Sequence, residues 1–272
     1  MEFNITTPDT ANKFLLDFLQ ISGEEFIDEY VLNCNNDFEV FWARNLSSIE
    51  KVNINNLIII AFHVTGSLDN CEEIKRTGLK NLQKVLTEDT ELSRLLLSHG
   101  VKFDIKNRRL CNNGNIINID YYKYRGRLNV PQKIKNVAHR VYYDYCVNGF
   151  LSNDDVFSYG TNIHERPEIL LDLVNLLPEL EYMEKEWIEN SKSYRIFFFS
   201  KIDQIHRFCF DLDEYNDPPY ENWADLSDTQ KIKKWMLSHA IDKSNSELSS
   251  SFLYIKDHLD IPPGQIISCE EI

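Results

Sequence analysis

The chain has 272 residues, 43% of them hydrophobic and 26% charged. That mixture excludes a wholly disordered polypeptide, whose apolar content would be too low to offset the entropy of ordering. Its 43 acidic against 29 basic residues give a formal charge of −14. The balance argues against broad sequence-independent nucleic-acid binding, which needs many Lys and Arg contacts to phosphate, and leaves room for a local basic cleft.

Taken in chain order, Phe14, Leu15, Phe18 and Leu19 recur at helical spacing, with Gly23 as the expected stop. A second, acidic helix is expected through Phe26 and Val31, then a turn at Asn35–Asp37. These residues suggest a helical N-terminal extension over 1–52, ahead of a larger domain over 53–272. Leu57–Phe62 (LIIIAF) is a continuous apolar run whose three isoleucines favour a buried strand ending at His63. Turn and cap residues follow at Val64–Asn70, then a short helix closed by Gly78.

Asp89–His99 carries a leucine stripe and is stopped by Gly100. Val101–Asn118 reads as a hairpin around Asn112-Asn113-Gly114-Asn115. Pro131–Cys146 is expected to be helical, ended by Gly149, and Asp154–Ile163 to be a strand. Helices are expected from Pro167 to Leu177 and over Glu179–Asn190. Tyr194–Ser200 (YRIFFFS) is a second buried strand. Ser227 with Gln230 caps a helix through Trp235 and Ile241. Phe252–Ile255 is expected as the last strand, with an extended exit over Ile261–Ile266 and a serine-rich loop at Ser244–Ser251. Short strands scattered among helices favour an α+β fold over a doubly wound sheet.

Several chemistries find no pattern. No stretch of about 18 apolar residues occurs, so no membrane association is expected. The N-terminus lacks a basic region followed by an apolar core, so no secretory signal is expected. Glycine-rich phosphate-binding motifs are absent. The six cysteines have no C-x-x-C spacing and read as free thiols of a reducing cytoplasm, and no metal site is expected. Asp211, Asp213 and Glu214 cluster without the spacing of a calcium loop.

The most informative feature is His63-Val-Thr65-Gly66-Ser67 after the first buried strand. A histidine at a strand end can face a cleft, Gly66 would let a ligand approach the backbone, and Thr65 and Ser67 add hydroxyls. A helix N-terminus just beyond favours an anion. Together these suit a ribose and a pyrophosphate, although a core histidine is the plain alternative. A second feature is His139-Arg140 among Tyr142, Tyr143 and Tyr145, near Lys123, Arg125, Arg127, Lys133 and Lys135. Cations beside aromatics can stack bases and contact phosphate, or can be a solvated helix flank.

AFHVTGS at 61–67, followed by CEEIKRTGLKNL at 71–82, resembles the first motif of the His-type ADP-ribosyltransferase superfamily, the branch of poly-ADP-ribose polymerases and related bacterial toxins. VFSYGTNIHERPEILLDL at 156–173 is similar to that family's second motif, and SSSFLYIKDHLDIPPGQI at 249–266 to its terminal strand. The resemblance implies a split antiparallel β-core with flanking helices. It implies NAD as co-substrate, gripped by His63, Thr65, Gly66, Ser67 and Asn162, with Tyr159 stacking on nicotinamide. The family's catalytic Glu would stand at the start of the last strand, where this chain has Ser250 and Ser251. Glu247 is the nearest acid, with Glu165 or Glu168 as alternatives. The implied function is ADP-ribosylation of a macromolecule, RNA or DNA ahead of protein, by a cytoplasmic toxin or anti-phage defence effector beside a neutralising antitoxin protein. The rival readings are a catalytically silent interaction module of the same fold and an RNA-acting enzyme that needs no NAD.

Overall fold

A computed structural model of the chain describes residues 1–124, 130–212, 223 and 225–272. It is a mixed α and β protein with antiparallel sheets, as the element pattern predicts. The strands are β1 (Glu2–Phe3), β2 (Ile58–Ser67), β3 (Val101–Asp104), β4 (Arg109–Asn112), β5 (Asn115–Asn118), β6 (Asn148–Asn153), β7 (Lys192–Lys201), β8 (Ser250–Tyr254) and β9 (Ile266–Glu271). One sheet has the order β8-β6-β2-β7-β9, with β1 parallel to β2. The other is the meander β3-β4-β5.

The chain divides into two compact units. The first comprises Met1–Ala61, Gly149–Asp154 and Phe199–Tyr254. The second comprises Phe62–Asn148, Asp155–Phe198 and Ile255–Ile272. This grouping differs from a division at residue 52: the N-terminal helices share a unit with the helix Asp228–Ser244.

In the first unit, the buried stripe Ala11, Phe14, Leu15 and Phe18 of the helix Pro8–Leu19 packs against Asp228–Ser244. Phe3 meets Phe14 at 5.0 Å and Trp235 at 5.7 Å. The first helix stops at Gln20, which turns left-handed at φ 57°. Gly23 opens the next helix instead of ending the first, because Ser22 and Glu25 form a reciprocal cap around it. That helix continues as a π-helical segment over Ile27–Asn33. The turn at Asn35 and Asn36 forms as expected, at φ 52° and 58°. Lys233 is buried and donates to the carbonyls of Ile49 and Glu50, which satisfies the end of the helix Phe38–Lys51.

In the second unit, the leucine stripe Leu92, Leu95 and Leu96 joins Val137, Val141 and Leu170 in one apolar cluster. The Asn113-Gly114 turn between β4 and β5 has φ 48° and 85°, the conformation its residues predict. Four expectations differ along the chain. Strand β2 runs on to Ser67, so His63 sits within the strand and not at its end. The helix Gln132–Tyr142 ends before Tyr145, and Gly149 lies inside β6. Residues 154–163 are not a strand: Asp155 accepts the amides of Phe157 and Ser158 and winds a 3₁₀ turn over Val156–Ser158. Phe252–Ile255 is not the last strand, since β9 follows and pairs antiparallel with β7 in the register Ile196↔Cys269.

Gly78 closes the helix Glu72–Thr77 at φ 83°. A Cβ there would lie 2.0 Å from the Ile261 carbonyl oxygen, on the bridge that pairs Leu79 with Ile261. Gly78→Ala therefore adds a left-handed alanine and a backbone clash. It should cost more than about 2 kcal/mol, measured as a lowered urea midpoint.

Candidate functional site

Alternate residues of a strand share a face, so His63 and Thr65 project to the same side of β2. Both are half-buried, while Phe62 and Val64 are buried on the other side. His63 Nδ1 lies 2.8 Å from the Asn148 carbonyl oxygen. A carbonyl only accepts, so Nδ1 carries the proton. Burial holds the imidazole below its ordinary pKa, against the opposing pull of the Asn148 carbonyl and the Glu168 carboxylate. The ring is thus neutral at pH 7, and Nε2 carries a lone pair that can accept a hydroxyl proton.

Glu168 is the acid that ties this group together. It begins the helix Glu168–Leu176, where a carboxylate is favoured by the helix dipole. Oε1 accepts the Thr161 hydroxyl at 2.8 Å, and Oε2 lies 2.9 Å from Arg140 Nη1. Tyr159 is also within its field. Burial raises the phenol's pKa first and Glu168 adds to it, against Arg140. Arg140 faces two more carboxylates, Asp144 at 2.5 Å and Asp172 at 3.3 Å. Burial pushes Asp172 above the usual carboxylate range despite Arg140. One guanidinium among three carboxylates leaves this cluster with excess negative charge.

The other expected site residues are placed differently. Gly66 is needed for packing: a Cβ would lie 2.8 Å from Trp187 Nε1 and 3.0 Å from the Glu165 carbonyl oxygen. That close approach fills the space expected for a ligand. Ser67 is buried, and its hydroxyl is committed to the turn: it accepts the Cys71 amide at 2.9 Å and lies 3.1 Å from Asp69 and 3.2 Å from Glu91. The helix N-terminus beyond it is also occupied, because Asp69 Oδ2 accepts the Glu73 amide at 2.9 Å. Asn162 is exposed at φ 51° and donates to Glu165 at 3.2 Å. Glu247 is an exposed loop residue of the first unit, whereas His63, Tyr159 and Glu168 belong to the second.

Arg140 is held by its carboxylates and is not free to contact phosphate. Tyr142 is buried, with its hydroxyl donating to the Ile105 carbonyl at 3.0 Å. Arg125, Arg127, Asp213 and Glu214 lie outside the described residues. Asp144 and Asp172 were not anticipated. A signal was present: Glu168 and Asp172 are like charges at i,i+4 on one helix face, a spacing that calls for a cation opposite.

Asp69 and Glu91 form a second acidic pair around Ser67. Burial and the Asp69 carboxyl raise Glu91 from 4.5 to about 7, while Asp69 is lowered because its hydrogen bonds, led by that from Glu91, outweigh its burial. A carboxyl raised on folding favours the folded state most when protonated. Stability should therefore fall as pH rises from about 4.5 to about 7. The loss is on the order of 1–2 kcal/mol after solvent screening. Melting curves across this range should slope downward for the wild type and less steeply for Glu91→Gln.

Comparison of the chain with protein-family models, with curated proteins and with solved structures finds no match. Among the described residues no helix is long and apolar enough to cross a membrane. Fold and site define an α+β protein in which half-buried His63 and Thr65 share one face of β2 and Thr161 and Arg140 hold the Glu168 carboxylate.

Proposed function

We propose that the chain is an NAD-dependent ADP-ribosyltransferase that modifies a macromolecule, with Glu168 in the role first given to Glu247. One observation carries this reading: Glu168 opens the helix that follows the Tyr159 turn, and the Thr161 hydroxyl and Arg140 hold its carboxylate in place. In this reading His63 Nε2 accepts a hydroxyl of the nicotinamide-side ribose, Thr65 supplies a second polar contact and Tyr159 stacks on the nicotinamide. The C1′–N bond breaks, its electron pair leaves with neutral nicotinamide, and positive charge develops on the ribose. A fixed carboxylate stabilises that charge. An acceptor atom then forms a bond to C1′ and loses its proton. The α+β class is the coarse class of this family, and AFHVTGS at 61–67 resembles its first motif. The reading places the protein in the cytoplasm as a toxin or defence effector, held in check by an antitoxin protein.

A second reading has a specific observation in its favour. Both Glu168 oxygens already have partners, as befits a structural ion pair in a catalytically silent interaction module. Chromatography of nicotinamide released from NAD by the purified chain, alone and with cellular RNA, DNA and protein, separates the two. Release that His63→Ala reduces supports the transferase. Absence of release with every acceptor, together with no rise in melting temperature on adding NAD, overturns it in favour of the silent module.

A further inference from the structure

The aromatic and basic segment singled out in the sequence forms a surface that the His63 site does not use. Tyr121 packs partly into the apolar cluster of the second unit and serves as its base. Around it lie Tyr122 at 5.7 Å, His139 at 5.5 Å and Tyr143 at 5.6 Å between ring centroids. His139 and Tyr143 are themselves 4.8 Å apart, with planes 41° from each other. The outer rings are open to solvent, Tyr122 at 64% and Tyr143 at 60% exposure. Arg108 lies 5.1 Å over the Tyr122 ring.

Two lysines border these rings. Lys123 is exposed and adjacent to Tyr122. Lys135 precedes His139 by four residues in the helix Gln132–Tyr142, so the two share a face. Asp120 pairs with Arg108 at 2.7 Å and accepts the Lys123 amide, and Asp144 is one of the three carboxylates on Arg140. In a chain of net charge −14, flat exposed rings bordered by cations select a polyanion that itself carries flat rings. We infer that Tyr122 and Tyr143, with Lys123 and Lys135, form a stacking surface for single-stranded nucleic acid. Unstacked bases would lie on the tyrosine faces, and phosphates would meet the cations. Duplexes keep their bases stacked on one another and fit less well. Calling this nucleic acid the ADP-ribose acceptor rests on the proposed function, but the binding itself needs no NAD.

Fluorescence anisotropy with labelled mixed-sequence oligonucleotides tests this directly, using the full chain without NAD. Single-stranded RNA and single-stranded DNA form two arms, and a DNA duplex and heparin serve as controls. The expected result is preference for single strands over duplex and heparin. Tyr122→Ala/Tyr143→Ala should weaken single-strand binding at least tenfold, while Tyr122→Phe/Tyr143→Phe, which keeps both rings, retains it. Lys135→Ala should weaken binding and flatten its salt dependence. Both tyrosines are largely exposed, so a melting temperature near that of the wild type should accompany the loss. Absence of single-strand binding at low salt overturns the inference, as does equal affinity for heparin or unchanged affinity in a folded Tyr122→Ala/Tyr143→Ala variant. Single-strand binding with no nicotinamide release for any acceptor and no NAD-induced rise in melting temperature would sustain this surface and overturn the transferase reading. Release without such binding would do the reverse.

Discussion

Glu168→Gln is expected to slow nicotinamide release from NAD by about 10²–10³-fold, the loss typical of removing one group that stabilises developing charge. Glu247→Gln should leave the rate unchanged. The contrast follows from placement, since Glu168 shares its field with His63 and Tyr159 while Glu247 is an exposed loop residue of the other unit. Gln is close to Glu in shape and can still accept the Thr161 hydroxyl, and Arg140 keeps Asp144 and Asp172. The stability change should therefore stay within about 1 kcal/mol, as for a partly exposed ion pair. Single-turnover kinetics and melting curves on the same preparations check both parts. A rate that falls only in proportion to lost folded protein would show that Glu168 is structural. A rate lost with Glu247→Gln and kept with Glu168→Gln would return the role to the loop.

Arg140→Met should have the largest effect on stability. It leaves Glu168, Asp144 and Asp172 facing one another without a cation. Breaking a buried ion pair from one side costs about 3–5 kcal/mol, and the low end applies because every partner keeps some exposure. The cost depends on pH in a defined direction. Without the guanidinium the Asp172 carboxyl, which burial raises and Arg140 lowers, rises further, so protonation favours the folded state. The variant's deficit should be full at neutral pH and shrink as pH falls toward the unfolded carboxyl values. Asp172 is already raised by burial with Arg140 present, and it should be the first to take a proton. Adding Asp172→Asn to Arg140→Met should then recover part of the loss at pH 7. A double-mutant cycle by urea denaturation measures this, and strict additivity would show that the two residues do not interact.

Sequence alone determined those elements whose cause is local. Leu57–Phe62 and Tyr194–Ser200 are strands because continuous apolar, β-branched and aromatic runs have few other places to go. Ser227 with Gln230 starts a helix, and Asn113-Gly114 makes a tight turn, because the bonds and φ values involved lie within a few residues. The pair His63 and Thr65 was legible for the same reason, since strand period alone puts both on one face.

Tertiary structure decided whatever depends on a distant partner. Val64–Ser67 carries turn-forming residues, yet sheet pairing extends β2 through them. Strand β9 has little apolar alternation of its own and exists through its pairing with β7. Gly66 and Ser67 read as ligand-admitting residues until Trp187, Glu165, Asp69 and Glu91 closed around them. Which cation holds Glu168 was equally hidden. An ion pair depends on distance in space rather than along the chain, so only folding could bring Arg140 to Glu168 and Asp172.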